Sequence, residues 1–262
     1  MSAASRRTAF VQMAGHRLEL LAPHPPAPGA PWVVYLHEGL GAAGQWRDFP
    51  ARVSAATGSG SLVYSRWGYG GSDARPAPWP DDFLADEARI VLPGMLAHAG
   101  ITRPVIYGHS DGATIALMFA AACPDACAGV ISVAAHVMLE DISLASIARA
   151  RQRFIDGPLR APLERQHGAH VDDTLFGWTE TWLRPRVRDW DMRASLGAIT
   201  CPVLVIQGRH DEFGTLAQVD AVVQGVGGPA ESLILDDCGH IPHREKPHEV
   251  LAAVTRFIQH LS

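Results

Sequence analysis

The stretch Val105-Ile106-Tyr107-Gly108-His109-Ser110-Asp111-Gly112 decides the fold of this chain. Three apolar residues, a Gly-x-Ser-x-Gly turn and a long apolar run over residues 113–122 read in order as strand, sharp turn and helix. The two glycines carry the geometry. A side chain two residues before or after the serine meets the neighbouring strand or helix, and the serine itself takes a sparsely populated backbone conformation. Such a turn lifts the Ser110 hydroxyl clear of the strand. It also sets that hydroxyl at a helix N-terminus, where unpaired N–H groups and the helix dipole favour negative charge. Built from common residues, the five-residue pattern alone also fits an ordinary turn ahead of a helix. The flanking sequence separates the two readings.

Outward from this turn, continuous apolar runs of strand length recur at 32–36, 62–65, 130–134, 203–206 and 232–235. Runs apolar on both faces fit strands in the middle of a parallel sheet. Between them, 46–56, 82–99, 215–226 and 247–261 read as helices, the second kinked at Pro93-Gly94. Ahead of them, 8–13 and 16–21 read as a hairpin joined at Ala14-Gly15, and the proline-rich 23–31 as an extended surface connection. Strands alternating with helices predict an α/β fold whose mostly parallel central sheet is flanked by helices. The alternation breaks over 137–199, which has several short helical patterns, many Arg and Trp residues and no clear strand. This block reads as a helical cap inserted into a core domain made of 1–136 and 200–262. Internal repeats and low-complexity segments are not visible.

The totals agree with one large domain carrying an insertion: 262 residues, 47% hydrophobic and 19% charged. A net charge of −5 argues against a nucleic-acid surface. Cys123, Cys127, Cys201 and Cys238 have neither zinc-site nor disulfide-framework spacing, and fit reduced thiols in a cytoplasm. Gly68-x-Gly70-Gly71 falls short of the dinucleotide fingerprint and reads as a tight turn, so neither a metal nor a cofactor is expected. No stretch is long and apolar enough to span a membrane, and residues 1–8 have two arginines without the apolar run of a secretory signal.

Two more strand ends supply titratable groups. The run 203–206 leads into Gln207-Gly208-Arg209-His210-Asp211-Glu212, and 232–235 into Asp236-Asp237-Cys238-Gly239-His240-Ile241-Pro242. Parallel sheets carry their active residues beyond the C-terminal ends of the strands. Spacing from Gly208 favours Asp211 as the acid over Glu212, Asp236 and Asp237. His240 is favoured over His243 and His248; His243, past a proline, reads as a surface residue. His210 reads as a neighbour of the acid without a chemical role, and Cys238 as a wall or core thiol. The chain order Ser110, Asp211, His240 is nucleophile, acid, histidine.

In these residues the chain resembles the α/β-hydrolase superfamily, in particular its cap-bearing, esterase-like serine hydrolases, across nearly its whole length. The resemblance rests on His37-Glu38-Gly39 after the third strand and Arg66-Trp67-Gly68-Tyr69-Gly70-Gly71-Ser72 after the fourth. It rests further on the turn Gly108–Gly112, on Gly208-x-x-Asp211, and on Gly239-His240-Ile241-Pro242 followed by Glu245 and Pro247. It implies a Ser110-Asp211-His240 triad that cleaves the carboxylic ester of a small molecule through an acyl-enzyme. His240 would be the general base and Asp211 its orienter. The oxyanion donors would be the backbone N–H of Asp111 and one from the turn after the third strand, Glu38 in first place. The superfamily more often has glycine where Glu38 stands, which leaves Glu38 and Gly39 both open.

Substrate contacts are expected from His37, His109, Trp178 and Trp182, although each has a purely structural alternative. Within 137–199, Arg149, Arg151, Arg153 and Arg165 with the aromatics would suit an acid-bearing or aromatic acyl compound, or form a solvated face with packed tryptophans. Serine at the turn, where epoxide hydrolases and haloalkane dehalogenases of this superfamily carry aspartate, argues against those chemistries. The alternatives to ester cleavage are a carbon–carbon bond hydrolase of ring-cleavage products, a thioesterase, a lactonase, a cofactor-free perhydrolase, or a ligand receptor without turnover. His109, where the carbon–carbon hydrolases tend to have asparagine, counts mildly against the first of these. The expected partner is a small molecule, with no nucleic acid and no membrane; the oligomeric state is unreadable.

Overall fold

The computed structural model describes residues 8–261; apart from Thr8, the leading segment read as lacking a signal lies outside the described residues. Strands β1 (Thr8–Met13) and β2 (His16–His24) form an antiparallel hairpin whose two turn residues, Ala14 and Gly15, both take positive φ. Next come β3 (Trp32–Leu36), helix α1 (Phe49–Thr57) and β4 (Gly60–Tyr64). They are followed by α2 (Phe83–Asp86), α3 (Leu92–Ala99), β5 (Val105–His109), α4 (Asp111–Ala122) and β6 (Gly129–Val133). After an inserted block come β7 (Val203–Gly208), α8 (Ala217–Gly225) and β8 (Ala230–Leu235), then the short α9 (Pro242–Glu245) and α10 (Pro247–His260). The inserted helices are α5 (Asp141–Ile155), α6 (Arg160–His167) and α7 (Val171–Trp182).

Among the described residues the strands form one sheet in the order β1-β2-β4-β3-β5-β6-β7-β8. From β4 to β8 every pair is parallel, and β2 joins β4 antiparallel. This is the α/β-hydrolase arrangement the sequence leads one to expect. The continuous apolar runs are explained by burial on both faces. Val34, Leu36 and Ile106 face a core with α3 and α4, while Val33, Tyr35, Val105 and Tyr107 face another with α1 and α10. The chain moves from β3 to β4 on one side and returns to β5 on the other. The strand order therefore reverses at β3 and β5, and a crevice opens outside their C-terminal ends.

The predicted kink at Pro93-Gly94 lies one turn earlier. Residues Glu87–Val91 form a wide π turn, and Pro93 opens α3. A proline clashes with the carbonyl four residues back, here Arg89, and the widened turn around Arg89 gives that ring room. The helix expected over 46–56 begins as a 3-10 turn, Ala43–Trp46, before α1.

The inserted block touches the C-terminal edge of the sheet at several loops. Gln166 donates to the Leu40 carbonyl, Thr174 to the Gly68 carbonyl and Ser143 to the Phe213 carbonyl. Phe154, Leu163, Val171 and Leu175 form a small apolar cluster of their own, whereas Trp178, Trp182, Val187 and Leu196 belong to the core beside α4.

Candidate active site

Ser110 stands between β5 and α4 at φ 53 and ψ −121, a conformation costly for any residue but glycine. Two close approaches enforce it. A Cβ on Gly108 would lie 2.2 Å from the Gly112 carbonyl oxygen, and one on Gly112 would lie 2.0 Å from the Leu36 carbonyl oxygen. The Ser110 N–H donates to the Val133 carbonyl at 2.8 Å, which anchors the turn to β6. Asp111 is the first residue of α4, so its N–H has no carbonyl one turn back.

His240 comes from the loop after β8 and Asp211 from the loop after β7. A Cβ on Gly208 would fall 2.2 Å from the Gly239 carbonyl oxygen, so the two loops cross at that glycine. The His240 Nε2 lies 3.0 Å from Ser110 Oγ, and its Nδ1 lies 2.8 and 2.9 Å from the two Asp211 oxygens. Asp211 is held in place by the Phe213 N–H at 2.8 Å and the Gln207 amide at 2.9 Å. Burial alone would lower the His240 pKa, but the hydrogen bond and charge of Asp211 outweigh it, and the net direction is upward. Burial pushes Asp211 up; His240 overcomes that and holds it below the usual aspartate value. Of the competing acids, Asp236 is paired with Arg209 at 2.6 Å on the surface.

The turn after β3 is pinned by a buried arginine. The Glu38 carbonyl accepts from the Gly41 N–H at 3.1 Å, from Arg66 Nη2 at 3.0 Å and from His37 Nδ1 at 2.7 Å. Arg66 also reaches the His37 carbonyl at 3.3 Å, while its own backbone N–H donates to His37 Nε2 at 3.0 Å. The carbonyls of residues 37 and 38 therefore face Arg66. Across each trans peptide, the N–H groups of Glu38 and Gly39 face the other way. The Glu38 N–H lies against its own carboxylate. Among the described residues the Gly39 N–H meets no acceptor.

Trp178 covers this turn: a Cβ on Gly39 would fall 2.3 Å from its Nε1, and that N–H donates to Asp111 Oδ2 at 2.9 Å. Burial raises the Asp111 carboxyl, and the Arg66 guanidinium 3.9 Å away opposes the rise. Trp182 packs among Phe83, Trp190 and His136.

Two expected substrate contacts are corrected here. His37 and His109 are fully buried, and the protein occupies both ring nitrogens of each. His109 Nε2 contacts the His240 carbonyl at 2.7 Å and Nδ1 contacts Glu38 Oε2 at 3.3 Å. Burial pushes the Glu38 carboxyl upward, but the hydrogen bond and charge of His109 prevail and hold it well below the carboxylate range. His243 is corrected as well. It is 6% exposed, its ring packed at an angle against those of Trp46, Phe49 and His109, and burial pushes its pKa down to about 3. Cys238 is buried, and its thiol is pushed up to about 11, chiefly by burial.

Sequence reasoning named Arg66 only within a motif and missed His136 and Phe213. The Phe213 ring lies 4.5 Å from the His240 ring, and its carbonyl accepts from His136 Nε2 at 3.2 Å. The other nitrogen of His136, Nδ1, is buried without a hydrogen-bond partner. The available signal was position: His136 follows the C-terminal end of β6, where parallel sheets place such groups.

A family model described as the alpha/beta hydrolase family matches residues 33–254. Epoxide hydrolase A of Mycobacterium tuberculosis (strain ATCC 25618 / H37Rv) is 25% identical, over 88% of this chain and 91% of that protein. The 2-succinyl-6-hydroxy-2,4-cyclohexadiene-1-carboxylate synthase of Enterobacter sp. (strain 638) is 25% identical, over 88% of this chain and 93% of that protein. Among solved structures, a bacterial membrane phospholipase A superposes with a TM-score of 0.81 at 17% identity, covering 98% of this chain and 87% of that one.

Proposed function

Because the chain belongs to the alpha/beta hydrolase family, we propose that this hydrolase cleaves a carboxylic ester of a small molecule through an acyl-enzyme on Ser110. One observation carries the reading: His240 reaches the Ser110 hydroxyl with one ring nitrogen and the Asp211 carboxylate with the other. His240 takes the serine proton as the hydroxyl attacks the carbonyl, then returns it to the leaving alcohol. Asp211 fixes the tautomer and stabilises the imidazolium. The N–H groups of Asp111 and Gly39 receive the oxyanion; Gly39 takes that role over Glu38 because its N–H faces away from Arg66 and meets no acceptor among the described residues. Water, activated by His240, then releases the acid. In this reading 137–199 is a cap, and Trp178 walls the oxyanion side of the pocket.

The similarity to a protein named an epoxide hydrolase does not extend to this chemistry. A carboxylate nucleophile forms an ester with an epoxide carbon, and water can cleave it. Ser110 would form an ether, which stalls. A second reading keeps the same Ser110–His240 pair and has it act on a carbon–carbon bond. Turnover of p-nitrophenyl butyrate tests the first reading: wild type cleaves it, and Ser110→Ala loses activity by about 10⁴-fold or more. Equal activity in both proteins would refute the assignment of Ser110. Inactivity of both toward esters, with turnover of a vinylogous 1,5-diketone, would favour the second reading.

A further inference from the structure

Arg47, Arg165 and Arg244 line one groove of about 630 Å³ from three distant parts of the chain. Arg47 ends the 3-10 turn after β3, Arg165 lies in α6 of the inserted block, and Arg244 lies in α9, just past His240. All three are exposed, and among the described residues none has a carboxylate partner. Elsewhere Arg160, Arg184, Arg186, Arg188, Arg193 and Arg209 each hold one. The carboxylate in the groove wall, Glu19, is already engaged by the Ser65 hydroxyl at 2.5 Å and the Gly71 N–H at 2.9 Å. The lining thus carries three arginines against the single carboxylate of Glu19, a positive excess in a chain whose net charge is −5. Arg47 is also held at φ 49 and ψ −128, a strained conformation that a glycine would take without cost.

A ladder of side chains ties the groove to the site. Arg244 Nη1 donates to Gln45 Oε1 at 3.3 Å, the Gln45 amide donates to Gln166, and Gln166 donates to the Leu40 carbonyl at 3.0 Å. Leu40 follows Gly39, whose N–H faces the reacting carbonyl in the proposed mechanism. Of the four arginines singled out in the inserted block, Arg149 turns to Ser146, Arg151 pairs with Glu180, and Arg165 is the one that lines this groove.

We propose that this groove binds an anionic oxyacid group, phosphate or carboxylate, on a small molecule. Guanidinium groups present planar forks that match both anions, and three of them from different elements define a site rather than a solvated face. Such a group has two sources: the acidic end of the molecule cleaved at Ser110, or a separate ligand felt at Leu40 through the ladder.

Calorimetric titration with pyrophosphate at about 0.15 M salt, where charge is screened beyond about 8 Å, measures binding without any need for turnover. It therefore stands or falls separately from the hydrolase reading. Wild type and Ser110→Ala both bind saturably at one site. Arg47→Gln/Arg165→Gln/Arg244→Gln loses about tenfold or more in affinity, and the single changes Arg165→Gln and Arg244→Gln each lose part of it. An equal-charge control at exposed arginines elsewhere, Arg89→Gln/Arg153→Gln/Arg256→Gln, keeps wild-type affinity. No saturable binding, or an equal loss in the control, overturns the proposal. Pyrophosphate competing with mono-p-nitrophenyl glutarate but not with p-nitrophenyl butyrate assigns the groove to the substrate's acidic end. Binding without such selective competition assigns it to a separate ligand.

Discussion

In the proposed mechanism Asp211 sets the working range of the site. Its hydrogen bond and charge lift His240 above the ordinary histidine value of 6.5 despite burial. A base acts only when unprotonated, so kcat/KM should rise with pH through a midpoint above 6.5. Asp211→Asn removes the largest part of the lift and leaves only the weaker pull of Glu212 and Glu38 against burial, which acts the other way. The midpoint should then move down and kcat fall by about 10³–10⁴-fold. An unchanged midpoint in Asp211→Asn would contradict the assigned acid. At this scale the sequence was partly legible. Ser110, Asp211 and His240 announce themselves by glycine spacing at strand ends, because the backbone must bend sharply there. Arg66 and His243 do not. Arg66 is defined by two carbonyls of a turn 28 and 29 residues earlier. His243 is buried by Trp46 and Phe49, contacts that only the folded chain creates.

Elements are positioned by close approaches of backbone. Gly112 brings α4 against the end of β3, and the atom that a Cβ would strike is the Leu36 carbonyl oxygen, which cannot swing aside. Gly112→Ala should cost about 3 kcal/mol or more in urea unfolding. Gly44→Ala, with nothing within 4 Å of the added carbon, should stay within about 0.5 kcal/mol of wild type. A Gly112→Ala protein as stable as wild type would mean that α4 does not press on β3 as described. The strands were legible because burial on both faces makes them continuous apolar runs; Trp32–Leu36 begins and ends where the apolar run does. The π turn Glu87–Val91 was not, since hydrophobic spacing in a helix hides a single widened turn. Nor was the way the inserted block divides, with Phe154 and Leu175 in a local cluster and Trp178 and Leu196 in the main core.

Over the whole molecule, buried histidines make folding sensitive to acid. Burial holds His243 at about 3 and His167 at about 4, and pushes His37 and His136 down as well. Between those values and about 6.5 the unfolded chain binds protons that the native state refuses, so stability falls as pH falls. The contribution of His243 and His167 is on the order of 2 kcal/mol each by pH 5. Raised His240 acts in the opposite sense, favouring the folded state below its unfolded value, and Asp211 adds an acid loss at lower pH. The melting temperature should drop steeply from pH 7 to pH 5, and His243→Phe should flatten part of that slope. An equally steep slope in His243→Phe would remove His243 from the account. The proposed function rests on one claim, that Ser110 forms a covalent acyl intermediate. The most direct test is mass spectrometry of the protein quenched during turnover of p-nitrophenyl butyrate. The account predicts a butyryl group on the peptide containing Ser110, absent in Ser110→Ala. Steady turnover with an acyl group on another residue would contradict it.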